Sequence, residues 1–123
     1  MYLGGVRKVV AKAASYTIKL NQPDRSNTLF TTRGGSGAIT FTLPAPKPAL
    51  AGTVFEFLNE VDQNMIVSAG ASSAVAFNNA SCASLAAQTS SQKIGAKIRA
   101  TVNDAGTKWF LEGTSVGVTY TVA

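Results

Sequence analysis

The chain has 123 residues and a net charge of +5; 46% of its residues are hydrophobic and 14% are charged. A chain of this length is expected to form one domain that buries roughly two thirds of its extended surface. The composition excludes intrinsic disorder, which requires low hydrophobicity and high charge. It favours a protein that covers part of its surface with a partner or with copies of itself.

The positive charge is concentrated near the N terminus, where the first 25 residues hold five basic side chains and one carboxylate, that of Asp24. Apolar residues within 6–14 recur at helical spacing, which fits a short amphipathic helix. Valine is a poor helix former, so an extended arm fits this segment equally well. We predict a basic arm over residues 1–14 and a folded domain over residues 15–123. A basic arm suits an acidic partner surface, and the candidate docking residues are Arg7, Lys8 and Lys12; a solvated, partly mobile terminus is the alternative.

A period of two between apolar and polar residues dominates the rest of the chain and predicts half-buried strands. The segments with this pattern are 16–20, 38–43, 53–59, 96–102, 108–112 and 116–122, with shorter candidates at 28–32, 64–68 and 74–77. In phase with the apolar positions are the predicted core aromatics Phe41, Phe55, Phe57, Trp109 and Tyr120. Many short strands at near-regular spacing predict an all-β fold. We expect a single antiparallel β-sandwich or barrel resembling a jelly roll.

The connections are rich in turn-forming residues. Three prolines within 44–50 exclude a central strand and predict a semi-rigid crossover, and "NDAGT" at 103–107 predicts a tight hairpin. Residues 78–92 are small and polar and remain ambiguous.

The stretch "KWFLE" contains the only tryptophan of the chain. Trp109 shares a face with Leu111, whereas Lys108 and Glu112 mark the other face as solvent-exposed. Trp109 is therefore predicted to lie in the core or at an interface. Phe110 is the aromatic on the polar face and the candidate for a partner contact.

Residue types that carry catalysis are scarce. The chain has no histidine, which removes the commonest general base and the commonest zinc ligand, and its single cysteine, Cys82, lacks a base to activate it. Glu60 and Asp62 lie close in sequence but are typical of solvated turn residues, and "TRGGSGA" lacks the Gly-Lys-Ser/Thr ending of a phosphate loop. We therefore expect no enzyme, no catalytic residues, no cofactor and no metal site.

Nucleic acid and membrane are not expected as partners. Base-stacking aromatics should share a strand face with lysine and arginine, but most aromatics here are in phase with aliphatic residues. No stretch approaches the ~20 apolar residues of a membrane-spanning helix, and no secretory signal is evident. A single cysteine indicates folding in the cytoplasm.

Three segments together resemble a recurring small β domain of tailed-phage virion proteins: "SGAITFTLPAP", "AGTVFEFLNEVDQNMIVSAG" and "SSQKIGAKIRATVNDAGTKWFLEGT". In that family a G-x-x-x-F-x-L-P strand precedes an aromatic strand, a DQNM-x-V strand and a hairpin that ends in DGT-x-W. The resemblance covers about residues 15 to 115, and "NDAGTKW" departs from the commoner "DGTKW" by a small turn insertion. Such domains occur in capsid decoration proteins, head fibres and tail-fibre tips.

The resemblance implies a non-enzymatic structural role in a virion. We expect a capsid decoration (cement) protein that is assembled in the host cytoplasm and binds the outer surface formed by the major capsid protein. A homo-oligomer is expected, with a trimer favoured over a dimer. The alternative is a receptor- or carbohydrate-binding tip of a head or tail fibre.

Overall fold

The computed structural model describes residues 7–20, 24–70, 72–87, 94–115 and 118–123. These residues form twelve strands and one short 3-10 helix, Pro48–Leu50. The strands are β1 Val9–Ala11, β2 Tyr16–Thr17, β3 Thr28–Thr31, β4 Ile39–Thr42, β5 Val54–Leu58, β6 Met65–Ser68, β7 Ala74–Ala76, β8 Asn79–Cys82, β9 Ser84–Ala87, β10 Lys97–Val102, β11 Trp109–Gly113 and β12 Tyr120–Val122.

The strands form two sheets. The larger sheet has seven strands in the order β1-β3-β5-β10-β11-β7-β8, and the smaller has five in the order β12-β9-β6-β4-β2. Both sheets are mixed: β3 runs parallel to β1 and β5, and β4 runs parallel to β2 and β6, whereas β10 is antiparallel to both of its neighbours. The predicted all-β sandwich is confirmed, but its sheets are mixed rather than purely antiparallel.

The hydrophobic core lies between the two sheets and is dominated by phenylalanine. Phe41 of the smaller sheet lies 4.9 Å from Phe57 of the larger sheet, between ring centroids. Phe30 contacts both rings, at 5.8 Å from Phe41 and 5.7 Å from Phe57. All three rings are fully buried, so the alternating pattern of β3, β4 and β5 places one aromatic face of each strand against the opposite sheet.

The N-terminal segment is extended. Val9, Val10 and Ala11 form strand β1, which pairs in parallel with β3 at the edge of the larger sheet. Val10 packs against the core, whereas Val9 is 57% exposed. Among the described residues 7–14, Val9–Ala11 thus form an edge strand and none forms a helix; residues 1–6 lie outside the described part.

The ambiguous segment also contains strands. Asn79–Cys82 and Ser84–Ala87 form β8 and β9, which belong to different sheets, so the chain crosses from one sheet to the other at Ala83. Leu85 and Ala87 of β9 are fully buried. Small side chains hid the periodicity of this segment, because alanine, serine and asparagine give little contrast between an apolar and a polar face.

Candidate functional site

The larger sheet has an outer face that is turned away from the core. Successive side chains of a strand point to opposite faces of the sheet, so every second residue of each strand lies on this outer face. On the central strands they are Leu29, Val54, Glu56, Leu58, Lys97, Arg99, Thr101, Phe110, Glu112 and Val75.

Glu56 forms the centre of an ionic cluster on this face. The register places Arg99 of β10 directly beside it, and Arg99 Nε donates to Glu56 Oε2 at 3.1 Å. Lys97 Nζ lies 3.5 Å from Glu56 Oε1, and Arg7 Nη1 donates to the same oxygen. Glu56 is only 6% exposed because these three cations cover it. We call Arg7, Glu56, Lys97 and Arg99 the Glu56 cluster.

The pKa of Glu56 reflects two opposed effects. Burial disfavours the charged carboxylate and acts to raise the pKa, but the hydrogen bonds from Arg7 and Arg99 and the charge of Lys97 outweigh it. The pKa of Glu56 falls to about 2, from an ordinary value of 4.5. Glu56 is therefore ionised at neutral pH and serves as a fixed anchor for the cations around it.

A pocket of about 330 Å³ opens beside the cluster, and we call it the arginine pocket. It is lined by Arg7, Asn27, Val54, Glu56, Arg99 and Thr101. Nε and Nη2 of Arg7 are covered and have no hydrogen-bond partner among the described residues. The Arg99 side chain is 47% exposed. The pocket thus combines cationic donors with two neutral polar side chains.

A second concavity of about 250 Å³ lies on the other side of β10, towards β7, and we call it the aromatic pocket. It is lined by Phe77, Phe110, Leu111, Glu112 and Gly113. Phe110 is 45% exposed and Phe77 is 60% exposed, and the Phe77 ring lies 6.1 Å from that of Tyr120. Phe77 has a φ of 49°, in the left-handed region that bulky residues rarely adopt, so the turn after β7 holds an apolar ring in water at a conformational cost.

The predicted core aromatics occupy the following places. Phe41, Phe55, Phe57 and Trp109 are fully buried, and Trp109 Nε1 donates to the carbonyl oxygen of Pro44 at 2.8 Å. Tyr120 is half-buried at the rim of the core, where its hydroxyl donates to the Lys97 carbonyl oxygen at 2.8 Å. Trp109 is therefore an architectural residue of the hairpin, and Phe110 on the opposite face is the aromatic available for a contact.

The three candidate docking cations do not form one patch. Arg7 lies over the outer face and pairs with Glu56. Lys12 Nζ lies 3.7 Å from the centroid of the Tyr16 ring, and Tyr16 belongs to the smaller sheet. Lys8 is exposed. Alternation along β1 thus directs Lys8 and Lys12 to the side opposite Arg7.

The remaining residues considered in the sequence lie in the loops and the core as follows. Glu60 and Asp62 are exposed loop residues, and Cys82 is a buried free thiol. Thr32, at the start of the glycine-rich loop, donates from Oγ1 to Asn59 Oδ1 at 2.7 Å and accepts from the Glu60 amide at 2.9 Å. No group of three potential metal ligands occurs among the described residues. In the same part of the chain no helix is long and apolar enough to cross a membrane.

Sequence reasoning missed Glu56 and Phe77 as members of the two pockets. A signal for Glu56 was present, since "VFEFL" places one carboxylate in the middle of an apolar strand, where a charge is expected to be paired. Phe77 stood at the end of a short strand candidate, and its proximity to Phe110 depends on the pairing of β7 with β11. Comparison with protein-family models and with curated proteins gives no match for this chain.

Proposed function

We propose that this chain is a non-enzymatic structural protein of a phage particle, a capsid decoration protein that binds the outer surface of the major capsid protein and stabilises subunit junctions. The proposal combines the sequence resemblance with the all-β sandwich. The observation that carries it is the pair of exposed rings, Phe77 and Phe110, that line one concavity.

Exposed rings of this kind supply the adhesion that a decoration protein needs. Full burial of a phenylalanine side chain contributes roughly 1.5–3 kcal/mol. In the isolated chain about half of the surface of Phe77 and Phe110 is exposed to solvent. A partner that covers these rings therefore contributes a modest free energy of binding per copy. A capsid lattice multiplies that gain over many equivalent positions.

The proposed oligomer is a trimer that sits at a three-fold position of the lattice. A low proportion of charged residues, 14%, leaves apolar surface for contacts between copies. Light scattering coupled to size exclusion should give three times the 12.7 kDa mass of the chain. A monomer at micromolar concentration in the absence of capsids would contradict a preformed trimer.

Co-sedimentation with capsids of the encoding phage, stripped of this protein, tests the main proposal. We expect saturation near one copy per capsid subunit and a raised melting temperature of the shell. The double variant F77S/F110S should weaken binding about tenfold or more, which corresponds to about 1.4 kcal/mol. The matched control is V9S, which removes an exposed apolar side chain at the opposite edge of the same sheet. Saturation at a handful of copies per particle would contradict a decoration role.

A second candidate function is the receptor-binding tip of a phage fibre. It is favoured by one observation: Phe77, Phe110 and Glu112 line the same concavity, which combines aromatic faces with a carboxylate able to bind hydroxyl groups. Saturable binding to host envelope polysaccharide that is lost in F77S/F110S but kept in V9S would support this role. If host cell surfaces bind neither the native chain nor V9S, the tip role is excluded.

A further inference from the structure

We propose that the arginine pocket is a carboxylate-binding site that takes an aspartate or glutamate side chain from a partner protein. The inference concerns a different pocket from the one that carries the proposed function. It depends on that function only for the identity of the partner, which would be the capsid protein.

The first argument is charge. Arg7, Lys97 and Arg99 surround one carboxylate, so the Glu56 cluster has a net charge of +2. Glu112 on β11 lies opposite Arg99 and lowers the net charge of this group of residues to +1. Placing an additional carboxylate there neutralises this excess, and the partly buried position strengthens the attraction relative to bulk water.

The second argument is the supply of hydrogen-bond donors. Each guanidinium has five N–H groups in a planar fork that matches a carboxylate. Arg7 donates a hydrogen bond from Nη1 to the Glu56 carboxylate, while its Nε and Nη2 lack partners among the described residues. Arg99 donates from Nε to the same carboxylate. Leaving covered donors unpaired is costly, so the unpaired N–H groups of Arg7 favour an added acceptor oxygen in the pocket that Arg7 lines.

The third argument is the size and polarity of the pocket. Its volume of about 330 Å³ is at the small end for ligand pockets, which suits one side chain rather than a large molecule. Thr101 and Asn27 add neutral polar groups to its lining. Asn27 has a φ of 67°, and its backbone N–H donates to the Val54 carbonyl oxygen at 2.6 Å. This hydrogen bond holds the rim of the pocket in a defined shape.

An acidic protein segment fits this face better than nucleic acid does. Phe110 shares the outer face with Lys97 and Arg99, which is the arrangement that base stacking requires. However, Glu56 and Glu112 lie among these cations and would repel successive phosphates of a nucleic-acid backbone. A single carboxylate needs only the local excess of positive charge.

Titration with a hexaglutamate peptide at low salt, followed by NMR of the backbone amides and arginine Nε–H groups, tests the inference. We expect saturable one-to-one binding with the largest shifts at Arg7, Arg99 and Thr101. Arg99→Gln should weaken binding about tenfold, and Arg99→Lys, which keeps the charge and loses the fork, should give an intermediate loss. The matched control, Arg33→Gln, removes the same charge from an exposed loop residue and should have little effect.

Three outcomes would overturn the inference. They are the absence of hexaglutamate binding, an equal loss in the Arg99→Gln and Arg33→Gln variants, and tighter Arg99-dependent binding of a six-nucleotide oligothymidylate than of hexaglutamate. The last would assign the pocket to nucleic acid. The experiment requires no capsid, so its failure is distinguishable from failure of the decoration role.

Discussion

At the scale of single residues, Glu56 has the most unusual environment in the sheet. It lies between the fully buried Phe55 and Phe57 in sequence, and its carboxylate is covered by three cations on the outer face. The negative charge of this carboxylate compensates the three cations. Without it, several partly desolvated positive charges would lie close together, so the carboxylate stabilises the fold.

Glu56→Gln should lower the free energy of unfolding by about 2–4 kcal/mol, because breaking a buried ion pair from one side leaves uncompensated charge. Urea unfolding at neutral pH measures this change. The control is Glu112→Gln, which removes a half-buried carboxylate from the same face and should cost less than about 1 kcal/mol. Equal losses in the two variants would show that the cluster contributes no more than an ordinary surface pair.

The lowered pKa of Glu56 also predicts a pH dependence. Its pKa is about 2 in the folded chain and near 4.5 when unfolded, so the unfolded state takes up a proton first as the pH falls. The stabilisation is complete above pH 4.5 and is lost as the pH falls towards 2, by an amount on the order of 3 kcal/mol. Unfolding curves at successive pH values should show this loss of stability in the native chain. The Glu56→Gln variant should lack the part of the pH dependence that comes from the Glu56 carboxylate.

At the scale of elements, the hairpin between β10 and β11 is held by a close backbone contact. Gly106 has a φ of 70°, and a Cβ atom at this position would lie 2.3 Å from the Cα atom of Pro48 in the 3-10 helix. The proline-rich crossover therefore packs on the turn, and the Trp109–Pro44 hydrogen bond joins the same two elements.

Gly106→Ala should destabilise the chain by about 3 kcal/mol or more, because both the left-handed conformation and the backbone overlap oppose a side chain. The control is Gly52→Ala, where φ is 84° but the space around the added methyl group is open. We expect that variant to cost about 1 kcal/mol from conformation alone. Chemical denaturation of both variants measures the difference, and equal losses would contradict a role for the contact with Pro48.

At the scale of the whole molecule, the two sheets share one core. Phe30, Phe41 and Phe57 bridge them with ring-centroid distances of 4.9 to 5.8 Å. Neither sheet has another apolar layer of comparable size among the described residues, so each depends on the other for burial.

Unfolding is therefore expected to be a single cooperative transition. Trp109 fluorescence reports on the larger sheet and far-UV circular dichroism on both, and the two urea curves should superimpose. Phe57→Leu should shift both curves together, with a loss of about 1–2 kcal/mol. Separate transitions for the two probes would show that the smaller sheet unfolds independently.

Local residue patterns were enough to predict the all-β class of the fold and the direction of most side chains. In "VFEFL" and "KWFLE" the alternation of residues alone identified Phe55, Phe57 and Trp109 as inward-pointing and Phe110 as outward-pointing. This information is local, because successive side chains of a strand point to opposite faces whatever the strand pairs with. The alternation was not recognisable where side chains are small, as in β8 and β9, and residues 6–14, which contain β1, fitted helical spacing as well as an extended arm.

Which strands are neighbours, and therefore which residues line the two pockets, follows from long-range strand pairing. Glu56 meets Arg7 and Arg99 across 49 and 43 residues of sequence, and Phe77 comes near Phe110 only because β7 pairs in parallel with β11. Strand order and direction depend on the sum of many contacts between distant segments, which no short window of sequence contains. Local alternation therefore sets which side chains point outward, and the long-range pairing of strands decides which of them meet.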